Sequence, residues 1–339
     1  MVKGAPLGIA VVGAGYWGPN LVRNLHASEE WSVRAVVERD PRRLERLLRL
    51  YPAVAGHAEI DAVLTDPAVA AIALATPPRT HHELAVRVIE AGKHVLVEKP
   101  LAEDAANAED LCARAKRAGV QLMTDHTFLY TGAVEKLRSL RESGELGKVY
   151  YIDSVRANLG LFQESNVLWD LAPHDVSIIN HVLGEMPEAV ALQLGACVHA
   201  KTADVAFLTM WYGGGCLAHV HLSWLSPVKV RRTMLSGSSK MAVWDDVEPA
   251  EKVYIYDKGV VLDPTSTTLQ QQMVSYRLGD LHVPLVDNRE ALGKLVDDFA
   301  RAIRTGSATR SDGVFGAGVV RVIEQALRSA ALGGQRVEV

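Results

Sequence analysis

The sequence predicts an α/β protein: a doubly wound parallel sheet comes first, and an α+β domain with a large, mostly antiparallel sheet follows. Three observations predict this fold class. Three glycines spaced as G-x-G-x-x-G follow an apolar run near the start of the chain. Strand and helix patterns then alternate up to residue 125, whereas strand patterns dominate from residue 126 onward. The length of 339 residues fits two domains of about 150 residues, which we expect at 1–125 and 126–339.

The first domain is justified by apolar spacing along the chain. The apolar run at 7–12 predicts a strand, and Leu21, Val22 and Leu25 predict a helix over 20–27. The alternation continues with strands over 33–37, 70–75, 94–97 and 121–124, helices from residue 41 and over 80–91 and 104–118, and a short unit over 53–64. The strand at 70–75 is apolar throughout, as expected when helices cover both faces of a sheet.

The second domain has a different pattern. A helix is predicted over 135–142, another over 171–183, and two amphipathic helices over 288–304 and 314–332. Strands are predicted at 149–157, 190–194, 205–211, 216–224, 231–236 and 252–256. Because no long helices separate most of these strands, we expect them to pair mainly in an antiparallel sheet.

Composition excludes several classes of protein. With 48% apolar and 22% charged residues, the chain is typical of soluble globular proteins. A net charge of −4 argues against a nucleic-acid partner, and no apolar stretch is long enough to span a membrane. Cys112, Cys197 and Cys216 lack metal-ligand spacing and are expected to be buried thiols of a cytoplasmic protein. We therefore expect no metal.

The glycine motif indicates a nucleotide phosphate site of the Rossmann type. Gly13 permits the tight turn, Gly15 lets backbone approach a pyrophosphate, and Gly18 lets the helix pack close to the strand. The helix N-terminus offers unbonded N–H groups to the phosphates. Glu38 ends the second strand, where an acid binds the adenosine ribose, which favours NAD. Arg39 is either a solvated turn residue or a partner for a 2′-phosphate, so NADP is not excluded.

Two further positions carry residues suited to catalysis. Lys99 follows the fifth strand at the sheet edge where ligands bind, and could hold a substrate oxygen. Alternatively, it is an ordinary surface charge. Asp170 and His174 are four residues apart, so they share a helix face. His174 is then a candidate general base assisted by Asp170; the alternative is a helix-capping aspartate beside a half-buried histidine.

The motifs together resemble one family. VVGAGYWG at 11–18, ATPP at 75–78, GKHVLVEKP at 92–100 and Asp170-x-x-x-His174 occur in the order found in the Gfo/Idh/MocA family of NAD(P)-dependent sugar oxidoreductases. The resemblance covers nearly the whole chain. It implies that Lys99 is the catalytic lysine, His174 the acid/base and Asp170 its accompanying carboxylate. The cofactor contacts that it implies, together with those argued above, are Gly13, Gly15, Tyr16, Trp17, Gly18, Glu38, Arg39, Thr76, Pro77, His81, Glu98 and Lys99.

A finer resemblance concerns the substrate. The stretches 15–20 and 169–175 resemble family members that act on nucleotide-linked sugars, which implies oxidation at C3 of a UDP-linked amino sugar. The implied substrate contacts are Lys99, Arg156, Asn158, Trp169, Asp170 and His174. Lys229 and Arg231, with Arg232, either meet the diphosphate or are ordinary charges on an exposed strand. Relatives associate through the open face of the second sheet, so a homodimer or homotetramer is expected.

Other functions remain open at this point. The same residues suit the reverse reaction, reduction of a nucleotide-linked 3-ketosugar, and also a free-sugar or inositol dehydrogenase. Some relatives retain NAD and use transient oxidation to cleave a glycosidic bond. A dinucleotide-binding regulator without turnover would be expected to lose Lys99, Asp170 or His174. His219 and His221 share a strand face without an evident third ligand, and His126, Phe128 and Tyr130 suit either a cleft or the core.

Overall fold

The computed structural model describes residues 4–160, 166–198, 200–261 and 275–339. Residue contacts group the chain into two units. The first comprises the residues up to Tyr130 together with Arg289–Arg321, and the second comprises Thr131–Asn288 and Val322–Val339. The division at residues 125 and 126 stays a prediction. The return of a late segment to the first unit was not anticipated from the sequence.

The first unit alternates strands and helices. Its elements are β1 (Leu7–Val12), α1 (Gly18–Ala27), β2 (Trp31–Val37), α2 (Pro41–Leu50), β3 (Ala55–His57), α3 (Asp61–Leu64), β4 (Ala71–Leu74), α4 (His81–Glu90), β5 (His94–Glu98), α5 (Ala105–Ala118) and β6 (Leu122–Asp125). The described strands form a six-stranded sheet in the order β3-β2-β1-β4-β5-β6, and each neighbouring pair is parallel. The predicted doubly wound sheet is therefore confirmed, with the strand order of a Rossmann domain.

Local sequence explains how these elements start. Asp40 caps α2 by accepting a hydrogen bond from the Arg42 N–H at 2.8 Å, and Pro41 occupies the first helical position. Asp104 caps α5 through the Asn107 N–H at 2.7 Å. The central strands β1, β4 and β5 are fully buried over most of their length, because helices cover both faces of the sheet.

The second unit is organised around a mixed sheet. Its elements include α6 (Gly132–Glu142), β7 (Val149–Leu159), α7 (Val167–Leu183), β8 (Ala189–Gly195), β9 (Val205–Trp211), β10 (Leu217–Ser223), β11 (Leu225–Gly237), β12 (Met241–Asp245), β13 (Val253–Tyr256), β14 (Gly259–Val261), β15 (Ser275–Arg277) and β16 (Leu281–His282). The chain closes with α8 (Ala291–Thr305), α9 (Gly313–Ala331) and β17 (Val337–Glu338).

Nine of the described strands form one sheet in the order β16-β13-β12-β11-β7-β10-β9-β8-β17. The neighbouring pairs are antiparallel except β7 and β10, which run parallel. The expected mostly antiparallel sheet is confirmed. Helix α7 packs on one face of it, where Ile152, Val220 and Leu208 are buried.

Two local expectations were wrong. Cys197 was expected to be buried but is exposed, because it lies just past the end of β8, where its N–H donates to Asp204. Helix α7 begins at Val167 rather than Leu171, because Asn166 rather than Asp170 caps it by accepting from the Trp169 N–H at 3.1 Å. Within the part of the chain described, no helix is both long and apolar enough to cross a membrane.

Candidate active site

The three motif glycines have separate steric roles. At Gly13, whose φ is +99°, a Cβ would lie 2.5 Å from the Ala75 carbonyl oxygen. At Gly18 a Cβ would lie 1.9 Å from the carbonyl oxygen of Gly13, so only glycine lets α1 start this close to the turn. At Gly15 the nearest atom to a Cβ would be Arg43 Nη1, at 3.9 Å. Gly15 therefore faces open space, as close approach of a pyrophosphate requires.

The start of α1 presents backbone donors. Trp17 occupies the cap position but makes no side-chain capping hydrogen bond, and the first turn holds no acidic residue. Pro19 has no N–H and the Asn20 N–H donates to the Trp17 carbonyl oxygen at 2.9 Å, so the N–H groups suited to a phosphate are those before Pro19, at the positive end of the helix. Tyr16 beside it is 92% exposed, so its ring is accessible to a ligand.

Glu38 is fixed against the glycine turn. Its Oε2 accepts a hydrogen bond from the Ala14 N–H at 2.7 Å, and its Oε1 accepts from the Asp40 N–H at 2.9 Å. This geometry holds a carboxylate at the end of β2, where a ribose acid belongs. Arg39 forms an ion pair: its side chain is 82% exposed, and its Nη2 lies 3.6 Å from Glu59 Oε2. The contact of Arg39 with a cofactor stays a prediction.

His81 lies beneath the surface of this edge. Its side chain is fully buried, with Nδ1 2.8 Å from the Pro100 carbonyl oxygen and Nε2 2.8 Å from the Thr76 carbonyl oxygen. Burial lowers the pKa of His81, so the neutral ring donates to one of the two oxygens. His81 thus ties the loop after β4, with Thr76 and Pro77, to the turn after Lys99. The contact of His81 with a cofactor stays a prediction.

Lys99 follows β5 at the carboxyl edge of the parallel sheet, and its bond to Pro100 is cis. Glu98, just before it, has a buried Oε2 with no hydrogen-bond partner among the residues described. Burial and the nearby Asp125 carboxyl raise the pKa of Glu98 well above its usual value, while the Lys99 cation opposes that rise. An orphaned acid oxygen at this edge fits a polar group of a bound dinucleotide.

Two residues at the end of β6 border this edge: Asp125, which the sequence analysis missed, and His126, for which it left a cleft or a core position open. Asp125 is 2% exposed and accepts a hydrogen bond from Trp17 Nε1 at 2.8 Å. His126 is 1% exposed, and neither ring nitrogen has a hydrogen-bond partner in the described part of the chain. Burial and the Lys99 charge lower the pKa of His126 to about 3, so the ring is neutral. An acid at the end of the strand beside β5 was the available signal for Asp125.

In the second unit, Asp170 and His174 lie one turn apart on α7. Asp170 Oδ2 accepts a hydrogen bond from Trp224 Nε1 at 3.0 Å, and Trp224 itself is 1% exposed. A Cβ at Gly160 would lie 2.4 Å from the Trp224 ring, which explains a glycine at the end of β7. Asp170 is thus held by the sheet rather than used as a cap, and the predicted pair shares one helix face.

Arg156 forms a buried ion pair under this helix. Its Nε donates to Asp175, and Asp175 also accepts from the Ser154 hydroxyl at 2.8 Å. Arg156 and Asp175 are 3% and 2% exposed, so the pair fixes α7 on β7. The contact of Arg156 with a sugar stays a prediction.

The remaining predicted substrate residues lie on the same sheet or at the start of α7. Asn158 donates through its side-chain amide to the Leu159 carbonyl oxygen at 3.1 Å, and Trp169 is half-buried in the first turn of α7. Lys229 is exposed, whereas Arg231 is half-buried and paired with Asp246 at 3.3 Å. Binding of a substrate by these four residues stays a prediction.

The basic cluster is split by strand geometry. Arg231 lies opposite Arg156 in the β11–β7 register. Arg232, the next residue, points to the other face because side chains alternate along a strand. The three basic residues therefore do not form one surface.

Among the described residues, no three His, Cys, Asp or Glu side chains are placed to share a metal ion.

Comparison with known proteins identifies both parts of the chain. Residues 7–126 match the model of the oxidoreductase family with an NAD-binding Rossmann fold, and residues 134–243 match the GFO/IDH/MocA C-terminal domain. The 2,7-anhydro-N-acetylneuraminate hydratase of Escherichia coli (strain K12) is 27% identical over 224 residues, which are 61% of this chain. The chain spans about three-fifths of that relative, 59% of its length.

Two further proteins match over most of both chains. The dTDP-3,4-didehydro-2,6-dideoxy-alpha-D-glucose 3-reductase of Saccharopolyspora spinosa is 26% identical over 331 residues, covering 91% of this chain and 90% of that protein. The structure of UDP-N-acetylglucosamine 3-dehydrogenase GnnA from Acidithiobacillus ferrooxidans superposes with a TM-score of 0.80 at 23% identity, covering 96% and 97% of the two chains. At that identity the structural likeness concerns the fold.

Proposed function

Because the chain belongs to the Gfo/Idh/MocA oxidoreductase family through its NAD-binding and C-terminal domains, we propose that it is an NAD-dependent sugar dehydrogenase. The observation that carries the proposal is the arrangement at one edge of the parallel sheet. The glycine turn, Glu38, Thr76 and Lys99 all follow the carboxyl ends of its strands. This is the edge where doubly wound sheets bind their ligands.

The proposed chemistry gives each residue one role. Bound NAD supplies the hydride acceptor. His174 takes the proton of a sugar hydroxyl, and Asp170, fixed by Trp224, orients and stabilises the imidazolium that forms. Lys99 is proposed to donate to the substrate oxygen and to stabilise its developing negative charge. Glu38 binds the adenosine ribose, while the N–H groups of α1 bind the pyrophosphate.

We propose a UDP-linked amino sugar as substrate, oxidised at C3. The dTDP-sugar 3-reductase from Saccharopolyspora spinosa supports a nucleotide-linked sugar, because it matches over most of both chains. The UDP-N-acetylglucosamine 3-dehydrogenase supports it only through its fold. Lys229 and Arg231 are the residues proposed for the diphosphate. Since the Saccharopolyspora relative is a reductase, reduction of a nucleotide-linked 3-ketosugar is the second candidate direction.

A substrate panel tests this proposal. The protein is incubated with NAD or NADP and with UDP-N-acetylglucosamine, its uronate, free glucose or myo-inositol, and the absorbance of the reduced nicotinamide is followed. We expect turnover with a UDP-sugar and NAD. Turnover of inositol or glucose alone would contradict the substrate. Product formation without accumulating reduced cofactor would indicate the glycoside-cleaving alternative with retained NAD.

We also propose that copies of the chain associate through the open face of the second sheet. Tyr151, Phe207 and Leu217 lie on neighbouring strands β7, β9 and β10 and are 43–44% exposed. The register places Leu217 opposite Tyr151, and His221 opposite Phe207. The other face of these strands is buried, so the exposed aromatic side chains belong to the face that α7 leaves open.

A further inference from the structure

The ends of β5 and β6 bring two carboxyl groups together. Glu98 and Asp125 are register partners in this parallel pair, so their side chains leave the sheet on the same side. Both belong to the first unit, and Asp125 is 2% exposed. Two carboxylates this close and shielded from water would repel each other strongly, so both cannot be ionised together at neutral pH.

Asp125 carries the carboxyl group of the pair whose hydrogen bonds favour the ionised form. Its Oδ2 accepts from Trp17 Nε1 at 2.8 Å, and its Oδ1 accepts from the Thr127 hydroxyl. Burial raises the pKa of Asp125, but the donors on both oxygens and the Lys99 charge oppose that rise and favour the charged form. Glu98 Oε2, in contrast, has no donor among the described residues. The proton therefore belongs on Glu98, from which it is donated to Asp125.

The surrounding charges balance on this assignment. Lys99 is the cation whose field acts on Glu98, Asp125 and His126. His126 is neutral, and Trp17 and Thr127 carry no charge. One cation, one anion and one neutral acid give a cluster with no net charge, which lowers the cost of desolvating the buried Asp125 carboxylate.

We propose that Glu98 and Asp125 share one proton as an acid–carboxylate pair, and that Asp125, held by Trp17, is a positioning residue for Lys99. The role in catalysis rests on the proposed function, in which Lys99 holds the substrate oxygen. Ionised Asp125 attracts the Lys99 ammonium group and so favours the position from which it donates to that oxygen. Because Trp17 lies in the glycine turn, the cluster also joins the cofactor loop to the catalytic lysine.

A carboxyl titration tests the shared proton without substrate or turnover. Carbon-13 labelled glutamate is incorporated, and the Glu98 signal is identified by its absence in Glu98→Gln. We expect Glu98 to stay protonated at about pH 7, well above the ordinary value of about 4.3. In Asp125→Asn it should titrate lower by about one pH unit or more, because the repelling charge is gone. A wild-type Glu98 already ionised at neutral pH, or one unmoved in Asp125→Asn, would overturn the pair.

The split between kcat and KM tests the positioning role. Asp125→Asn removes the anion that acts on Lys99, so kcat should fall by about tenfold or more while the sugar KM changes little, because the lost contact acts on the developing charge of the substrate oxygen. Asp110→Asn, which removes a carboxylate paired with His82 and Arg114 on the same unit, is the control and should leave kcat in place. An unchanged kcat in Asp125→Asn, or an equal fall in both variants, would show that Asp125 does not position Lys99.

Trp17 is tested against a matched tryptophan. Trp17→Phe removes the donor to Asp125, so the Asp125 carboxyl should titrate at higher pH in aspartate-labelled protein. Trp31→Phe removes a comparable indole hydrogen bond, to the Val296 carbonyl oxygen at 2.8 Å, and should leave Asp125 unchanged. Equal shifts in both variants would refute the link. If no sugar is turned over while these titrations behave as expected, the dehydrogenase proposal fails and the proton-sharing pair stands.

Discussion

Lys99 and His174 are the single side chains on which the proposed chemistry depends. Lys99→Met or His174→Ala should lower kcat by about 10²- to 10⁴-fold, because each removes an acid–base or oxygen-stabilising contact. NAD affinity, measured by calorimetry, should change little, since the glycine turn and Glu38 are untouched. Lys116→Met, an exposed lysine on α5, is the matched control. Full turnover in both variants would refute these roles.

His126 makes stability depend on pH. Its pKa is about 3 in the folded protein and about 6.5 when unfolded, so the unfolded state binds more protons and stability is lost as pH falls below about 6.5. From about pH 7 to pH 5 this amounts to roughly 2 kcal/mol. Glu98, with a raised pKa, has the opposite dependence, so urea unfolding of wild type must be compared with His126→Gln.

The variant should lose about 2 kcal/mol less of its free energy of unfolding over this interval. Any constant cost of the substitution cancels in the comparison. Parallel curves for the two proteins would mean that His126 has the same pKa in the folded and the unfolded protein, which would contradict the lowered value.

Single residues were predictable where their role depends on nearby sequence. Glu38 and Lys99 each stand just after an apolar run that predicts a strand. Both could therefore be placed at the carboxyl edge of the parallel sheet from the sequence. Asp125 was missed because its partners, Trp17 and Glu98, are brought to it only when distant strands pair. The burial of His81 was not predictable, because the Pro100 and Thr76 carbonyl oxygens that its ring contacts are brought to it only by the fold.

At the scale of elements, the strand–turn–helix from β1 to α1 contains one glycine needed for stability, Gly18, and another proposed for NAD binding, Gly15. Gly18→Ala should destabilise the protein by about 1–3 kcal/mol or more, because a Cβ would overlap the Gly13 carbonyl oxygen. Gly15→Ala has space and should leave stability nearly unchanged, yet raise the NAD dissociation constant by about tenfold or more.

Thermal unfolding and calorimetric NAD titration of the two variants check this separation. The pair contains its own control, since the same methyl group is added three residues apart. Equal loss of stability in both variants would contradict the assignment of open space to Gly15.

Helix α7 shows why an element boundary can be misjudged. Pro173 and Asp170 suggested a start near residue 170, because proline and aspartate favour helix N-termini. In the structure Asn166 caps the helix and Pro173 lies inside it. Asp170 is instead held by Trp224, 54 residues further along the chain. The hydrogen bond from Trp224 thus explains why Asp170 does not cap the helix.

At the scale of the whole molecule, the open sheet face predicts association. Phe207→Lys should shift the protein toward monomer, because a charge would be buried in the interface. Light scattering over a range of concentrations measures this. Leu50→Lys places the same charge on an exposed leucine of α2 and should leave the mass unchanged. A monomeric wild-type protein would contradict the proposal.

The layout of the second sheet was only partly predictable. Strand spacing indicated the sheet and its mainly antiparallel pairing. The parallel pairing of β7 with β10 was not foreseen, because the two strands are far apart in sequence and local pattern does not specify partners. The short strand β12 was also missed.

The return of Arg289–Arg321 to the first unit has a consequence for biosynthesis. Trp31 donates to the Val296 carbonyl oxygen and stacks on Phe299, with ring centroids 5.6 Å apart. On the ribosome, β1 to β6 emerge well before α8 has been translated. The nascent NAD-binding unit therefore exposes the apolar surface around Trp31 while β7 to β16 are being synthesised. It is completed only when α8 has left the exit tunnel.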